Sequence, residues 1–254
     1  MILLHRLTSF VTGLIILLVF AGILFTEIHP LFLFVVGVFL TAVVLARLLN
    51  WDVRSFQFWH LLGTPLLFIV SSMGVMLFLE QIWIQVFLAV GAALLLALFT
   101  EHVFSYVHLP TVYQPFSIEH LGHLMNILTM FFVGSIGFGL RLFLQMPLWF
   151  LGSIFFLVSL FVIYGTLWAS KVDDARARPY AFAGGILTAE LFIALSFLPS
   201  GFYTNAAFVA LAFYAFLGLT RANALHRLSS RLTKRYLTIF AVLTLVIALT
   251  SQWL

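Results

Sequence analysis

Five histidine and glutamate residues are the first whose types and spacing could support chemistry: Glu101, His102, Glu119, His120 and His123. Glu119 lies four positions before His123, and His120 lies three positions before it, so on a helix the three side chains project from neighbouring positions. Imidazole and carboxylate groups bind zinc, iron and manganese. The spacing therefore predicts a site for a divalent metal (Zn, Fe or Mn) between two consecutive helices.

The same residues have a simpler interpretation. The order E-H-x-x-H differs from the H-E-x-x-H motif of zinc proteases, and the sequence lacks the repeated histidine boxes of membrane di-iron enzymes. Histidine also suits the boundary between lipid and water. Interfacial anchoring with local ion pairs is therefore the alternative to a metal site.

Glu190 is the second candidate, because it lies near the middle of the apolar segment 179–198, where no Lys or Arg accompanies it. An ionisable side chain inside a bilayer is costly, so it is a candidate for function by default. One hypothesis makes Glu190 a catalytic or transport residue, an acid that carries a proton or contacts a ligand. The other makes it a buried glutamate that holds helices together, with Tyr214 as a hydrogen-bond partner.

Several kinds of chemistry are excluded by missing residues and motifs. There is no cysteine, so disulfides and thiolate metal sites are excluded. No lysine lies inside an apolar segment, which excludes a retinal Schiff base. The sequence also lacks a phosphate-binding P-loop, a dinucleotide-binding glycine motif and a G-x-S-x-G nucleophile motif.

The elements that must position these residues follow from composition. Of the 254 residues, 64% are hydrophobic and only 8% are charged, and apolar runs of about 20 residues recur at short intervals. The sequence predicts an all-α, polytopic transmembrane bundle of about nine spans, forming a single integral membrane domain over residues 1–254. The predicted spans are 9–26, 30–47, 60–79, 82–103, 119–142, 147–169, 179–198, 201–220 and 236–253.

Orientation follows from the basic residues, which are retained on the cytoplasmic side of membranes. With a cytoplasmic N-terminus and nine crossings, Arg141 is the only one of the 12 Lys and Arg residues that lies outside. Adding or removing one span would scatter the later basic clusters. We therefore predict a cytoplasmic N-terminus and an extracytoplasmic C-terminus, in the plasma or inner membrane.

One basic connection, residues 221–235, is predicted to form a short cytoplasmic amphipathic helix. Its apolar face contains Leu225, Leu228 and Leu232, and its basic residues are Arg227, Arg231, Lys234 and Arg235. Such clusters bind anionic lipid headgroups. Membrane lipids are therefore predicted partners, protein subunits are further candidates, and nucleic acid is not expected.

Two classes of function remain open from the sequence. The favoured hypothesis is a small permease or flippase-like protein, or a scaffold subunit of a membrane complex, because the loops are short and one acid lies at mid-depth. The alternative is a metal-assisted or acid/base enzyme that acts on a lipid at the cytoplasmic leaflet through the histidine and glutamate cluster.

Overall fold

The computed structural model describes residues 2–111, 113–114 and 116–251, with side chains from residue 7 onward. This described part contains nine α-helices and no β-strand, which confirms the predicted all-α fold. The helices are α1 (Ile2–Phe25), α2 (Pro30–Leu48), α3 (Phe56–Met76), α4 (Ile82–His108), α5 (Ser117–Leu144), α6 (Leu148–Ala169), α7 (Asp174–Leu195), α8 (Phe202–Ala224) and α9 (Ser230–Thr250).

Eight of these helices are long and apolar enough to cross a membrane. The remaining helix, α7, has a similar length of 22 residues. Its first turns contain Asp174, Arg176 and Arg178, and Glu190 follows closer to its end. These charges lower the hydropathy of a helix whose remaining part is apolar. The orientation of the termini stays a prediction.

Capping and turn-forming residues explain where the helices begin and end. Pro30 occupies the first turn of α2, where its missing N–H is not needed. The Ser55 hydroxyl accepts a hydrogen bond from the Phe58 N–H at 3.2 Å and caps α3. Gln145 and Lys171 have positive φ angles of 49° and 61°, directly after α5 and shortly after α6. These local signals separate the apolar runs into short-looped helices.

Residues 221–235, predicted to contain a short amphipathic helix, are divided between the end of α8, a turn and the start of α9. Helix α8 continues to Ala224, and His226 has a φ of 54°, which interrupts the helical path. The Ser229 hydroxyl accepts a hydrogen bond from the Leu232 N–H at 3.3 Å and caps α9, which begins at the next residue. The basic residues are therefore divided between a turn and the first turns of α9. The predicted end of the last span, Trp253, lies outside the described residues.

The chain forms two compact units, residues 1–126 and 127–254, whose boundary falls within α5. The predicted single membrane domain stays a prediction. In the first unit, α1 packs closely against α4. A methyl group on Gly13 would lie 3.0 Å from the Ala97 Cβ and 3.2 Å from the Ala93 carbonyl oxygen. Small residues therefore allow the two backbones to approach closely.

In the second unit, α7 packs against α6 and α8, and α9 packs against α8. Aromatic rings form its core: Phe192 stacks on Phe155 with ring centroids 4.1 Å apart, and Phe138 lies 4.5 Å from Phe192. A methyl group on Gly134 would lie 3.0 Å from the Ala206 Cβ, so α5 and α8 also approach closely. This packing fixes which face of α7 points outward.

Candidate functional site

The first part of the predicted histidine and glutamate cluster lies near the end of α4. The Ser9 hydroxyl of α1 donates a hydrogen bond to the Glu101 carboxylate at 2.9 Å. The side chains of Glu101 and His102 are half-buried. The close packing of α1 on α4 thus gives Glu101 a hydrogen-bond partner within its own unit.

The second part lies at the start of α5. The Tyr113 hydroxyl donates to the Glu119 carboxylate at 3.2 Å and accepts from the Ile118 N–H at 3.4 Å. Burial raises the pKa of Tyr113, and the charge of Glu119 raises it further, although the Ile118 N–H acts in the opposite direction. His120 is exposed and His123 is half-buried. Tyr113 therefore ties the loop before α5 to its first turn.

The two parts of the histidine and glutamate cluster are not arranged as a metal site in the described structure. Within the described part of the chain, no three His, Asp or Glu side chains come together in a way that could hold one ion. Glu101 and Glu119 instead accept hydrogen bonds from hydroxyl groups. The metal site of Glu101, His102, Glu119, His120 and His123 stays a prediction.

Glu190 lies on the outward face of α7, and its side chain is exposed. It forms no hydrogen bond or ion pair with any other residue that the structure describes. The predicted neighbour Tyr214 packs against Tyr236 of α9, with ring centroids 5.4 Å apart. The helical phase of α7 thus directs this carboxyl, five residues before the end of the helix at Leu195, away from its own unit.

The structure contains a polar network at the start of α7 that the sequence does not predict. The Tyr164 hydroxyl donates to the Asp174 carboxylate at 2.6 Å, and Arg178 forms an ion pair with the same carboxylate. These two donors, first Tyr164 and then Arg178, hold the pKa of Asp174 below its usual value. The four-residue spacing of Asp174 and Arg178 is visible in the sequence, but the contribution of Tyr164 depends on the packing of α6 against α7.

The same end of α7 also contacts the end of α8 through polar groups. The Asn223 amide donates to the Tyr180 hydroxyl at 2.7 Å, and Arg176 bonds to the His226 ring. These contacts, like the Asp174 network, fix the end of the second unit that the predicted orientation places at the cytoplasm. They explain the polar start of α7 as a structural feature.

Comparison with known proteins places the chain in a family. The profile of a family described as a protein of unknown function (DUF5656) matches residues 52–250. The chain belongs to this family. The matched range extends from just before α3 to the end of α9, so it includes Glu190 and the predicted metal ligands. Searches of curated proteins and of solved structures find no match.

Proposed function

We propose that the protein is a scaffold subunit of a complex in the plasma or inner membrane. In this proposal the outward face of α7 around Glu190 binds a transmembrane helix of a different subunit. That helix supplies an Arg or Lys side chain at the depth of Glu190. The exposed position of Glu190 is the observation that carries the proposal.

The depth of Glu190 makes an outward carboxyl costly. With a rise of about 1.5 Å per residue, Glu190 lies roughly 16 Å along the helix from Pro179. This is about half of the 30 Å hydrocarbon thickness of a bilayer. An ionised side chain that faces lipid at that depth costs about 3 kcal/mol on insertion scales. A binding partner that pairs with the carboxyl removes this cost.

The residues that share this face suit a helical partner. Ala183, Leu187 and Ala194 are exposed, as Glu190 is, and are spaced three or four positions apart along α7. Such spacing aligns side chains along one helical stripe. The two alanines leave room for a second helix to approach closely, which is how membrane helices associate.

Charge complementarity indicates a different chain rather than a second copy. In this sequence Lys and Arg occur only near helix ends and in loops, as Arg141, Arg178 and Arg221 illustrate. A second copy could therefore offer no cation at mid-depth. A symmetric dimer through this face would place two Glu190 carboxyls against each other. A partner helix with a basic residue fits better.

The outward position also distinguishes the scaffold hypothesis from the permease or flippase hypothesis. An acid that carries a proton or a substrate through one chain must face a path inside that chain. Glu190 instead faces away from α6 and α8, the helices that pack against α7. This geometry supports assembly over transport.

Site-specific photocrosslinking in native membranes tests the proposal. A photoreactive amino acid at Leu187, one turn before Glu190, should give one discrete adduct with another membrane protein. Its crosslinked helix should contain Arg or Lys near its middle. The matched control is Leu157, an exposed residue in the middle of α6. The Leu157 variant should not give this adduct.

A second set of variants separates assembly from folding. Glu190→Leu should abolish the Leu187 adduct, while the purified chain should melt at the same or a higher temperature, because leucine is favourable against lipid. Three results would overturn the proposal: an adduct with a second copy of this chain, an adduct that persists in Glu190→Leu, or a loss of folding in Glu190→Leu.

A metal-assisted enzyme at the cytoplasmic leaflet is the second candidate. It is supported by Glu119, which Tyr113 holds beside the exposed His120 at the start of α5. It would require Glu101 and His102 to approach this pair. Metal analysis of the purified protein tests it, since a divalent metal at less than stoichiometric amounts would contradict it.

We also propose that anionic lipid headgroups bind the basic residues of segment 221–235. Arg227, Arg231, Lys234 and Arg235 are all exposed there. If Arg231→Gln/Lys234→Gln retained as much phosphatidylglycerol as the unchanged protein, this interaction would be wrong.

A further inference from the structure

A cavity in the second unit lies where α5 and α7 end and α8 begins. Its volume is about 390 Å³, which falls within the range of small-molecule sites. The polar residues that line it are Arg141, Gln145, Ser196, Ser200 and Asn205, and the apolar ones are Phe138, Leu142, Leu198 and Phe202. The cavity is thus lined by both polar and apolar side chains.

Arg141 gives the cavity a positive charge. Its guanidinium donates one hydrogen bond, from Nη1 to the Met146 carbonyl oxygen at 3.1 Å. No acidic residue is among those that line the cavity. The guanidinium has five N–H donors in a planar fork. Several donors therefore remain for an anion that enters the cavity.

Asn205 supplies an independent indication of a ligand. Its side chain is 4% exposed, and its Oδ1 accepts a hydrogen bond from the Ser200 hydroxyl at 2.6 Å. The Asn205 Nδ2 group forms no hydrogen bond with any residue that the structure describes. Because Asn205 lines the cavity, this amide can donate to a ligand there. A bound anion would accept from it.

The start of α8 adds to the positive potential. Gly201 precedes α8 and offers no side-chain oxygen to cap it. Phe202, the first residue of α8, lines the cavity. The N-terminal end of a helix favours negative charge. Arg141, Asn205 and the α8 terminus therefore converge on one place.

We propose that this cavity binds a phosphate group, carried by a membrane lipid or free in solution. Arginine pairs with phosphate oxygens through two parallel hydrogen bonds, and the Asn205 amide supplies a further donor near the positive end of the α8 dipole. In the predicted orientation the cavity lies at the extracytoplasmic surface. The site is independent of the Glu190 face, so either proposal can fail without the other.

Binding measurements on the purified full chain test the site. Phosphatidylglycerol retained in native mass spectra is the lipid probe, measured in the Arg231→Gln/Lys234→Gln background so that segment 221–235 does not contribute. Inorganic phosphate in titration calorimetry is the free probe. Arg141→Gln should weaken binding about tenfold or more, as expected for the loss of a charge-assisted hydrogen bond. The matched control is Arg54→Gln, which removes an exposed arginine from the loop after α2 and should bind normally.

Asn205→Asp provides the second variant, because it keeps the shape of the side chain and adds a negative charge. It should abolish binding of both probes while the melting temperature stays within a few degrees of that of the unchanged protein. Binding of phosphatidylglycerol alone would identify the lipid headgroup as the ligand, and binding of inorganic phosphate alone would identify the free ion. Normal binding by Arg141→Gln and Asn205→Asp, or no binding of either probe, would overturn the proposal.

Discussion

At the scale of single residues, Asp174 shows how α7 begins with charge and still packs in the second unit. Its carboxylate accepts from Tyr164 on α6 and pairs with Arg178 one turn later. Both contacts favour the ionised form, and the pKa of Asp174 is accordingly low. The network anchors the first turn of α7 to α6.

We predict that Asp174→Asn lowers the melting temperature of the protein at pH 7. Because the pKa of Asp174 is lowered by folding, its stabilisation is present above the ordinary aspartate pKa of about 4 and is lost as the pH falls through the folded value. The difference between the two proteins should therefore shrink below about pH 4.

The control for this prediction is Asp173→Asn, one position earlier. Asp173 is also exposed, and its side chain does not cap the helix. Thermal melts of the three proteins in detergent between pH 3 and pH 7 provide the measurement. Equal effects of both substitutions, or a difference as large at pH 3 as at pH 7, would contradict the role of Asp174.

The direction of the Glu190 side chain could not be predicted from the sequence, although its place on the seventh helix could. The residues around it on α7 are apolar on every side, so the pattern does not define an inward stripe. The phase is fixed instead by Gly184 and Gly185, which face side chains of α6 and α8. All five predicted metal ligands lie on the helices in which the sequence predicts them, but which of them meet depends on tertiary packing.

At the scale of elements, the close approach of α1 and α4 depends on Gly13. The space for a side chain at position 13 is limited by the Ala97 Cβ and by the Ala93 carbonyl oxygen. A backbone carbonyl cannot rotate away as the tip of a side chain can. Forcing extra atoms into such a contact typically costs 1 to 3 kcal/mol, on the order of measured overpacking.

We predict that Gly13→Val destabilises the protein by about 2 kcal/mol through this overpacking. The matched control is Gly91→Val on α4, because no atom lies within 4 Å of the position that a Cβ would occupy there. Reversible unfolding in mixed micelles measures both variants. A Gly13→Val protein as stable as Gly91→Val would show that α1 and α4 are not in close contact.

The number of helices could be predicted because each apolar run matches the membrane thickness and each break contains turn formers. The ends were harder to predict. Helix α7 begins five residues before the predicted span, at Asp174, because polar first turns need only local contacts, such as the ion pair of Asp174 with Arg178, to remain helical. Helix α9 begins at Ser230 because Ser229 caps it. Local polar contacts, and not hydropathy, set these ends.

At the scale of the whole molecule, the topology depends on whether α7 crosses the membrane. The other eight helices meet the length and hydropathy expected of a membrane span, and α7 is the remaining one. If α7 crosses the membrane, the termini lie on opposite sides and Glu190 lies at mid-depth. If it does not, neither statement holds, and the proposed partner helix loses its physical reason.

Cysteine labelling on both sides of α7 tests this directly, because the natural sequence has no cysteine. Lys171 and Pro199 are exposed residues in the loops before and after α7. With a membrane-impermeant maleimide, Pro199→Cys should be labelled in intact cells, whereas Lys171→Cys should be labelled only after the membrane is opened. Labelling of both positions from the same side would contradict the crossing of α7, and the reversed pattern would contradict the predicted orientation.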